Sequence, residues 1–287
     1  MRAVVVGSRS FIGSRLIELL RGADVEVLGI DLPGWDICGD LPFENDDIVV
    51  HLAAWSTDSM CSSSPLEAMR VNVEGTLNVA RLAYHRMVKQ VIFASTEWVY
   101  GESNQVVGEE DAANPNTLSL YAWTKSVGEN ILIRSGVENV TVLRFGIVYG
   151  DRRKNWGAVE SIYDSFRSGR PVVVGRLDTS RRYIHVDDVC RGIVASIGKP
   201  DIRVYNLAGD RDVSLRDICV ASRSVSGRDV AVAEKSGNVT RRRPDNSKAK
   251  RELSWSPEVS IEEGLARLEL FLRKSEVEDH AESIQGE

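Results

Sequence analysis

Cysteine is scarce in this chain, and its few cysteines are not placed for cross-linking or metal binding. The 287 residues include Cys38, Cys61, Cys190 and Cys219, and no two of them form a C-x-x-C pair. Disulfide frameworks and structural zinc sites both need closely patterned cysteines. The sequence therefore predicts no metal site and no disulfide scaffold, and a reducing, cytoplasmic location fits this pattern.

Long apolar runs and an excess of basic charge are also missing. No apolar run approaches the about 20 residues of a membrane helix, and the strand-like AVVV at residues 3–6 leaves no room for a signal peptide before it. The formal net charge of -6 gives no electrostatic reason to expect nucleic acid as a partner. We therefore predict that the chain binds neither membrane nor nucleic acid.

What the sequence does contain is an alternation of short β-branched runs with amphipathic windows. Strands are predicted at residues 2–6, 25–30, 48–52, 90–95, 140–145 and 204–208. Helices are predicted at 11–21, 65–84, 119–135, 156–168, 187–198, 214–225 and 260–273. Strands separated by helices indicate right-handed βαβ units, so the predicted fold class is α/β with a doubly wound parallel sheet.

The first predicted strand runs directly into a glycine-bounded turn, GSRSFIG at residues 7–13, that opens a helix. Glycine allows a tight turn and close approach of the backbone, and the N-terminus of the helix attracts a pyrophosphate. Asp31 ends the second predicted strand, where an acidic group can bind a ribose diol. The pattern predicts a dinucleotide site. Arg9 could reach a 2′-phosphate, but Asp31 would repel one, so NAD is favoured over NADP.

A second motif, YAWTK at residues 121–125, places Tyr121 and Lys125 one helical turn apart on the same face. Such a pair is commonly just part of an exposed amphipathic face. Beside a dinucleotide, however, the ammonium and the positive ring of the cofactor lower the pKa of the tyrosine and make it a base near neutral pH. Thr96, at the end of a neighbouring predicted strand, would then hold the substrate hydroxyl.

Eight motifs follow one another along the chain: GSRSFIG at 7–13, HLAA at 51–54, NVEGT at 72–76, STEWVYG at 95–101, YAWTK at 121–125, LRFGIVYG at 143–150, RRYIHVDDV at 181–189 and RRRPDNSKAKRELSWSP at 241–257. With these motifs the chain resembles the extended short-chain dehydrogenase/reductase family, specifically its nucleotide-sugar epimerases, dehydratases and decarboxylases. The resemblance extends from about residue 3 to residue 273. It implies a Rossmann fold, bound NAD and a nucleoside-diphosphate sugar as substrate.

The resemblance also implies roles for single residues. Tyr121 would be the catalytic acid or base, Lys125 the partner that binds the nicotinamide ribose, and Thr96 the residue that bonds the reacting hydroxyl. Arg181 and Arg243 match arginines that grip the diphosphate of the sugar nucleotide, a task that suits their planar fork of donors. The implied cofactor-binding residues are Gly7, Ser10, Phe11, Ile12, Gly13, Asp31, Asp40, Leu41, Leu52, Ala53, Ala54 and Asn72 with Tyr121 and Lys125, and the pair Asp40-Leu41 would lie beside adenine.

Some positions depart from the pattern of the family. Ser10 stands where the phosphate turn usually has its middle glycine, and Arg182 replaces a usual aspartate. Dehydratases and decarboxylases of the family carry a glutamate where this chain has Trp98, whereas Glu97 matches an acid that some dehydratases keep. Because an indole does not titrate in water, Trp98 would be a wall of the substrate pocket with no proton to exchange.

These features favour an NAD-dependent nucleotide-sugar 4-epimerase that works through a 4-keto intermediate, with Tyr121, Lys125, Thr96 and Glu97 as its catalytic residues. The alternatives of the same family are a dehydratase that uses Glu97 and a 4-ketosugar reductase. An alternative from another class is a non-catalytic NAD-binding regulator or scaffold, because a fold does not guarantee chemistry.

The resemblance implies two lobes and a homodimer. Residues 1–150 with about 186–208 would form the NAD-binding Rossmann domain, and 151–185 with 209–273 a smaller C-terminal lobe that binds the substrate. The helices at 65–84 and 119–135 would form the dimer contact. Residues 274–287 are acidic and have almost nothing apolar to bury, so we expect them to be disordered.

Overall fold

The computed structural model describes residues 1–111, 119–153 and 155–285 of the chain. The strands of this part are β1 (Arg2–Val6), β2 (Glu26–Ile30), β3 (Ile48–His51), β4 (Gln90–Thr96), β5 (Val106–Val107), β6 (Val140–Phe145), β7 (Val148–Tyr149), β8 (Val172–Val174), β9 (Ser180–Arg181), β10 (Ile184–His185), β11 (Ile202–Leu207), β12 (Val213–Ser214), β13 (Val232–Glu234) and β14 (Arg241–Pro244). Most strands after β6 are short, so the long strands that build a sheet are concentrated in the first half of the chain.

The helices of the same part are α1 (Phe11–Gly22), α2 (Asp58–Ser63), α3 (Pro65–Met69), α4 (Gly75–His85), α5 (Leu120–Ile133), α6 (Ala158–Arg167), α7 (Val186–Ala195), α8 (Leu215–Ser226), α9 (Ser247–Leu253) and α10 (Ile261–Gln285). A π-helical turn at Arg70–Glu74 leads into α4, and a 3₁₀ turn at Glu97–Tyr100 follows β4.

Six strands form the central sheet, in the order β11-β6-β4-β3-β1-β2, and each neighbouring pair is parallel. Helices separate these strands in the chain, as crossover connections between parallel strands require. The predicted α/β fold with a doubly wound parallel sheet is confirmed. Because the strands are parallel, their carboxyl ends meet at one edge, where loops from distant segments come together.

Strand β1 shows how the sheet is covered on both faces. Ala3 and Val5 belong to a core that includes α1 and α7, whereas Val4 and Val6 belong to a second core that includes α4 and α5. Successive side chains of a strand point to opposite faces, so a continuous apolar run serves both layers at once.

The remaining elements build a second unit next to the sheet. Apolar side chains of α6, α8 and α10 form a third core, which includes Tyr149, Tyr163 and Phe166. A small sheet in the order β12-β9-β14-β5 includes β5, which closely follows the central strand β4, and three strands from the second half of the chain. This small sheet therefore attaches the C-terminal part of the chain to the loop that leaves the main sheet.

The tail that the sequence led us to expect as disordered instead continues α10 as far as Gln285. Its first turns are held by polar contacts: Arg153 donates to the Ser275 hydroxyl at 3.0 Å, and Arg167 pairs with Glu276 at 2.7 Å. Glutamate, alanine and lysine favour helix, so a segment with little to bury can extend a helix that is already anchored.

Candidate functional site

The turn between β1 and α1 is tight enough that it requires glycine. Gly7 has a φ of +90°, and a Cβ added to it would lie 2.6 Å from the amide nitrogen of Ala53. Ser10 is the N-cap of α1, and its hydroxyl accepts a hydrogen bond from the Gly13 amide at 3.0 Å. A serine in place of the usual middle glycine is thus explained, because its side chain caps the helix.

Asp31 lies beside this turn, at the end of β2. Its carboxylate accepts a hydrogen bond from the Arg9 amide at 2.8 Å and one from the Leu32 amide at 2.9 Å. The Arg9 guanidinium donates to the Leu32 carbonyl at 3.1 Å. The structure thus places a carboxylate next to the N-terminus of α1, which is the arrangement that a ribose and its neighbouring pyrophosphate require.

A cavity of about 560 Å³ opens at the N-terminus of α1, lined by Arg9, Ser10, Phe11, Ser14, Arg15 and Arg152 among others. The Arg152 guanidinium lies 4.7 Å from the centre of the Phe11 ring and donates to Glu160 at 2.8 Å. A cradle that a Cβ would fill, a helix N-terminus and nearby guanidinium groups together fit a dinucleotide pyrophosphate.

The structure does not bring Asp40 and Leu41 to this turn. The Asp40 side chain is 79% exposed and lies 3.6 Å from Arg86, which follows α4 shortly before β4 begins. Leu41 is fully buried in the core. The reason is geometric: the connection from the carboxyl end of β2 must reach the amino end of β3, so its second half already lies at the opposite edge of the sheet. The positions of Asp40 and Leu41 therefore do not support the prediction that they lie beside adenine.

The earlier half of the same connection lies closer to the site. Asp36 forms an ion pair with Arg70 of the π-helical turn, and Ile37 packs against Gly75 at the start of α4. Sequence reasoning missed these two residues, although Asp36-Ile37 repeats the acidic-aliphatic pattern of Asp40-Leu41 four residues earlier.

The HLAA and NVEGT motifs hold the loop that follows β3. The amides of Leu52 and Ala53 both donate to the Val6 carbonyl, at 2.8 and 2.9 Å, which keeps the start of this loop beside the glycine turn. The Asn72 side chain bonds both backbone groups of Trp55, at 2.8 and 3.0 Å, and donates to the Thr124 hydroxyl at 3.0 Å. Asn72 therefore ties this loop to α5, and Ala54 lies between the two anchored positions.

Tyr121 and Lys125 lie on the buried face of α5, at 9% and 4% exposure. Burial raises the pKa of Tyr121 to about 12, and a hydrogen bond with Thr96, the last residue of β4, opposes this rise. Burial lowers the pKa of Lys125 to about 8, and the negative charge of Glu129 one turn further on opposes that change. The structure thus brings Thr96, Tyr121 and Lys125 into one site.

A buried ion pair supports the catalytic face of α5. The Glu129 carboxylate accepts two hydrogen bonds from Arg144 of β6, at 3.0 and 2.7 Å, and a third from the Ser95 hydroxyl. Arg144 also donates to the Tyr100 hydroxyl at 2.9 Å. Sequence reasoning missed this pair, yet Glu129 continues the stripe of Tyr121 and Lys125 at the same four-residue spacing, which is the signal that points to it.

Glu97 and Trp98 lie next to Thr96 in the 3₁₀ turn. Glu97 is fully buried, and neither of its carboxyl oxygens has a hydrogen-bond partner among the described residues. Burial raises the pKa of Glu97 to about 8, although the charges of Arg242 and Arg181 act in the opposite direction. Trp98 packs against the cluster that contains Cys61 and Tyr121, so its ring lies next to the residues that the sequence predicted to be catalytic.

The arginines of the site are not all those that the sequence predicted. Arg181 of β9 is close enough to lower the pKa of Glu97, and it donates to the carbonyl and hydroxyl of Thr240 at 2.9 and 2.8 Å. The Arg242 guanidinium lies 3.8 Å from the centre of the Trp98 ring. Arg243 points away, to the Asn104 carbonyl at 3.1 Å and to the Asp212 carboxylate.

The prediction that Arg243 holds the substrate is therefore not supported by its position, and Arg242 takes its place in the site. Strand alternation is the reason, because neighbouring residues of β14 face opposite sides. Sequence reasoning had no signal to choose between them, since three arginines stand in a row before Pro244.

In residues 1–111, 119–153 and 155–285, no group of three or more histidine, cysteine, aspartate or glutamate side chains is placed to hold a metal ion. Within the same ranges, every helix is too short or too polar to cross a membrane.

Comparison with known proteins shows the family to which this chain belongs. The profile of the NAD dependent epimerase/dehydratase family matches residues 3–208. UDP-glucuronate 4-epimerase of Thermodesulfobacterium geofontis is 28% identical, over 88% of this chain and 81% of the relative. UDP-glucuronic acid decarboxylase 1 of Arabidopsis thaliana is also 28% identical, over 93% of this chain and 69% of the relative. The solved structure of MoeE5 in complex with UDP-glucose and NAD superposes with a TM-score of 0.86 at 26% identity, covering 96% and 99% of the two chains.

Proposed function

Since the chain belongs to the NAD dependent epimerase/dehydratase family, we propose that it is a nucleoside-diphosphate-sugar 4-epimerase that uses NAD. The observation that carries this proposal is the convergence of Thr96, Tyr121 and Lys125 beside a glycine turn that fits a dinucleotide. Relatives named as UDP-glucuronate 4-epimerase and a structure containing UDP-glucose and NAD support the substrate class.

The chain's own residues would hold the cofactor and move one proton. Gly7, Gly13 and the N-terminus of α1 would hold the pyrophosphate, and Asp31 the adenosine ribose. Bound NAD would supply an acceptor for the hydride that leaves carbon 4 as this carbon is oxidised, and a donor for its return. Tyr121 removes the proton of the 4-hydroxyl while Thr96 orients that hydroxyl, and the Lys125 ammonium stabilises the phenolate.

Epimerisation is favoured over dehydration because the site offers few further acid or base groups. Dehydration removes a proton from the carbon next to the ketone and expels water from the next one, which normally takes two positioned groups. Trp98 fills the place of one such group and is stacked under Arg242. The dehydratase alternative depends on Glu97, whose raised pKa makes it a proton donor near neutral pH.

The test is incubation of the NAD-loaded protein with UDP-, dTDP-, GDP- and CDP-sugars in deuterated water. We expect a product of unchanged mass, inverted at carbon 4, with no deuterium at the ring carbons and no net consumption of NAD. Loss of the mass of water, or deuterium at carbon 5, would replace the epimerase with a dehydratase. Steady oxidation of added NADPH with a ketosugar would indicate a reductase.

We also propose that two copies pair along α4 and α5. Leu77 and Tyr84 of α4 are exposed large apolar residues seven positions apart, and Trp123 of α5 is exposed as well. Residues seven apart share a helix face, so these side chains form a candidate apolar contact surface. A cytoplasmic location is a further proposal, which the scattered cysteines support.

A further inference from the structure

Two buried polar groups next to Thr96 lack hydrogen-bond partners among the described residues. One is the Glu97 carboxyl, and the other is the Nη1 group of Arg242. Glu97 is fully buried and Arg242 is 6% exposed. Buried polar groups are nearly always paired, so each such exception needs an explanation. Two exceptions beside a catalytic pair indicate that a ligand completes their hydrogen bonds.

Both groups lie next to the residues proposed to be catalytic. Glu97 directly follows Thr96, which bonds Tyr121. Trp98 packs against the cluster that contains Tyr121, and the Arg242 guanidinium lies over the Trp98 ring. Arg242 is held in this position by Glu102 and by the Gly101 carbonyl at 3.3 Å. A sugar whose reacting hydroxyl was held by Thr96 would therefore bring a neighbouring substituent within reach of Trp98 and Arg242.

The charges around Glu97 favour an anion. The charged and titratable groups that act on Glu97 or that it acts on are Arg242, Arg181, Arg182, Glu102 and Tyr183. Glu102 already forms an ion pair with Arg242, so the arginines near Glu97 outnumber the acidic side chains that have no ion-pair partner. Burial raises the pKa of Glu97 to about 8, so at neutral pH this carboxyl is mostly protonated and can donate a hydrogen bond to a ligand.

We infer that Glu97 and Arg242 bind a carboxylate on the sugar, so that the substrate is a nucleoside-diphosphate hexuronate rather than a neutral hexose. This inference rests on the proposed function. A carboxylate offers two acceptor oxygens to the two unpaired donors, and hydrogen bonds between charged partners are the stronger kind. A primary hydroxyl could also accept from both donors, but it carries no negative charge to meet the Arg242 guanidinium.

The first test compares kcat/KM for UDP-glucuronate and UDP-glucose. We expect the wild type to prefer UDP-glucuronate by about tenfold or more, as one lost charged hydrogen bond implies. Arg242→Met should lose most of this preference, whereas Arg243→Met, the neighbouring arginine on the other face of β14, should keep it. A wild type that favours UDP-glucose overturns the inference and leaves the 4-epimerase proposal standing. If neither is converted, the same comparison is made between the hexuronate and the hexose of the dTDP, GDP and CDP series, and conversion of no sugar nucleotide contradicts both proposals.

The second test uses pH and does not depend on the Arg242 variant folding. Lys125 acts on both substrates, so its titration cancels in the ratio of their kcat/KM values. In the wild type we expect this ratio to fall as pH rises through about 8, because ionised Glu97 repels the carboxylate. Glu97→Gln keeps a donor but cannot ionise, so its ratio should stay flat. A ratio that is flat in the wild type, or that falls equally in the variant, overturns the inference.

Discussion

For single residues, burial shifts the pKa values of Tyr121 and Lys125 in opposite directions. Removal from water disfavours the charged form, so it opposes both the phenolate of Tyr121 and the ammonium of Lys125. Two neighbours offset these costs: Thr96 bonds the phenol, and Glu129 favours the ammonium. The protein alone therefore holds Tyr121 protonated. The positive nicotinamide ring would lower the pKa of Tyr121 further and so favour the phenolate.

Tyr121→Phe removes the ionisable oxygen and little else. We expect turnover to fall by about 10²–10⁴-fold, the usual contribution of a general acid or base. The affinity for NAD should stay close to that of the wild type, because the glycine turn and Asp31 are untouched. Steady-state kinetics at saturating NAD, with calorimetric titration of the cofactor, measure both quantities. Unchanged turnover would exclude Tyr121 from the mechanism.

Lys125 makes the reaction sensitive to alkaline pH. Its ammonium is present below a pKa of about 8 and is lost as pH rises through that value, so kcat/KM should fall by about tenfold per pH unit above it. Glu129→Gln should move this fall to lower pH, because the carboxylate raises the pKa of Lys125. The measurement is a pH profile of both proteins. A variant whose profile shifts upward would contradict the assigned role of Glu129.

The placement of Tyr121 and Lys125 together was predictable from the sequence, because their four-residue spacing alone puts them on one helix face. The arginines were not. Which residue of the run 241–243 faces the site depends on how β14 pairs with β9 and β5, whose partner residues lie far away in the chain. The placement of Asp40 was not predictable for a similar reason. The edge of the sheet at which Asp40 lies depends on where the connection from β2 to β3 crosses the sheet.

Among the elements, the glycine turn and its helix depend on a cap that is specific to this chain. Ser10→Gly should destabilise the protein by a few tenths of a kcal/mol, whereas Ser10→Ala should cost about 1 kcal/mol, because alanine offers no acceptor to the Gly13 amide. Chemical denaturation of both variants measures the difference. Equal losses in the two variants would show that the serine hydroxyl does not cap the helix.

Elements whose pattern is local were predictable, and those that exist only through distant partners were not. The strands of the central sheet are buried β-branched runs between helices, so period and composition identify them. Strands β5, β9 and β12 have two residues each and form only where a distant segment provides a strand with which they pair. The extension of α10 depends on Arg153 and Arg167, which lie more than a hundred residues earlier.

For the whole molecule, the proposed dimer can be tested with two matched surface changes. Leu77→Glu places a charge in the exposed face of α4, and we expect it to convert a dimer into a monomer. Val220→Glu places the same charge on an exposed apolar residue of α8, outside that face, and should leave the dimer intact. Size-exclusion chromatography with light scattering measures the mass. A wild type that is monomeric would reject the pairing.

The run of arginines in β14 also bears on how this protein tolerates insertions and deletions. A one-residue slip of a strand exchanges its two faces, which normally replaces an inward side chain with one of different chemistry. Here a slip in either direction would bring Arg241 or Arg243 to the position of Arg242. The loop at residues 235–240, between β13 and β14, can therefore gain or lose a residue during evolution while a guanidinium still stands over Trp98.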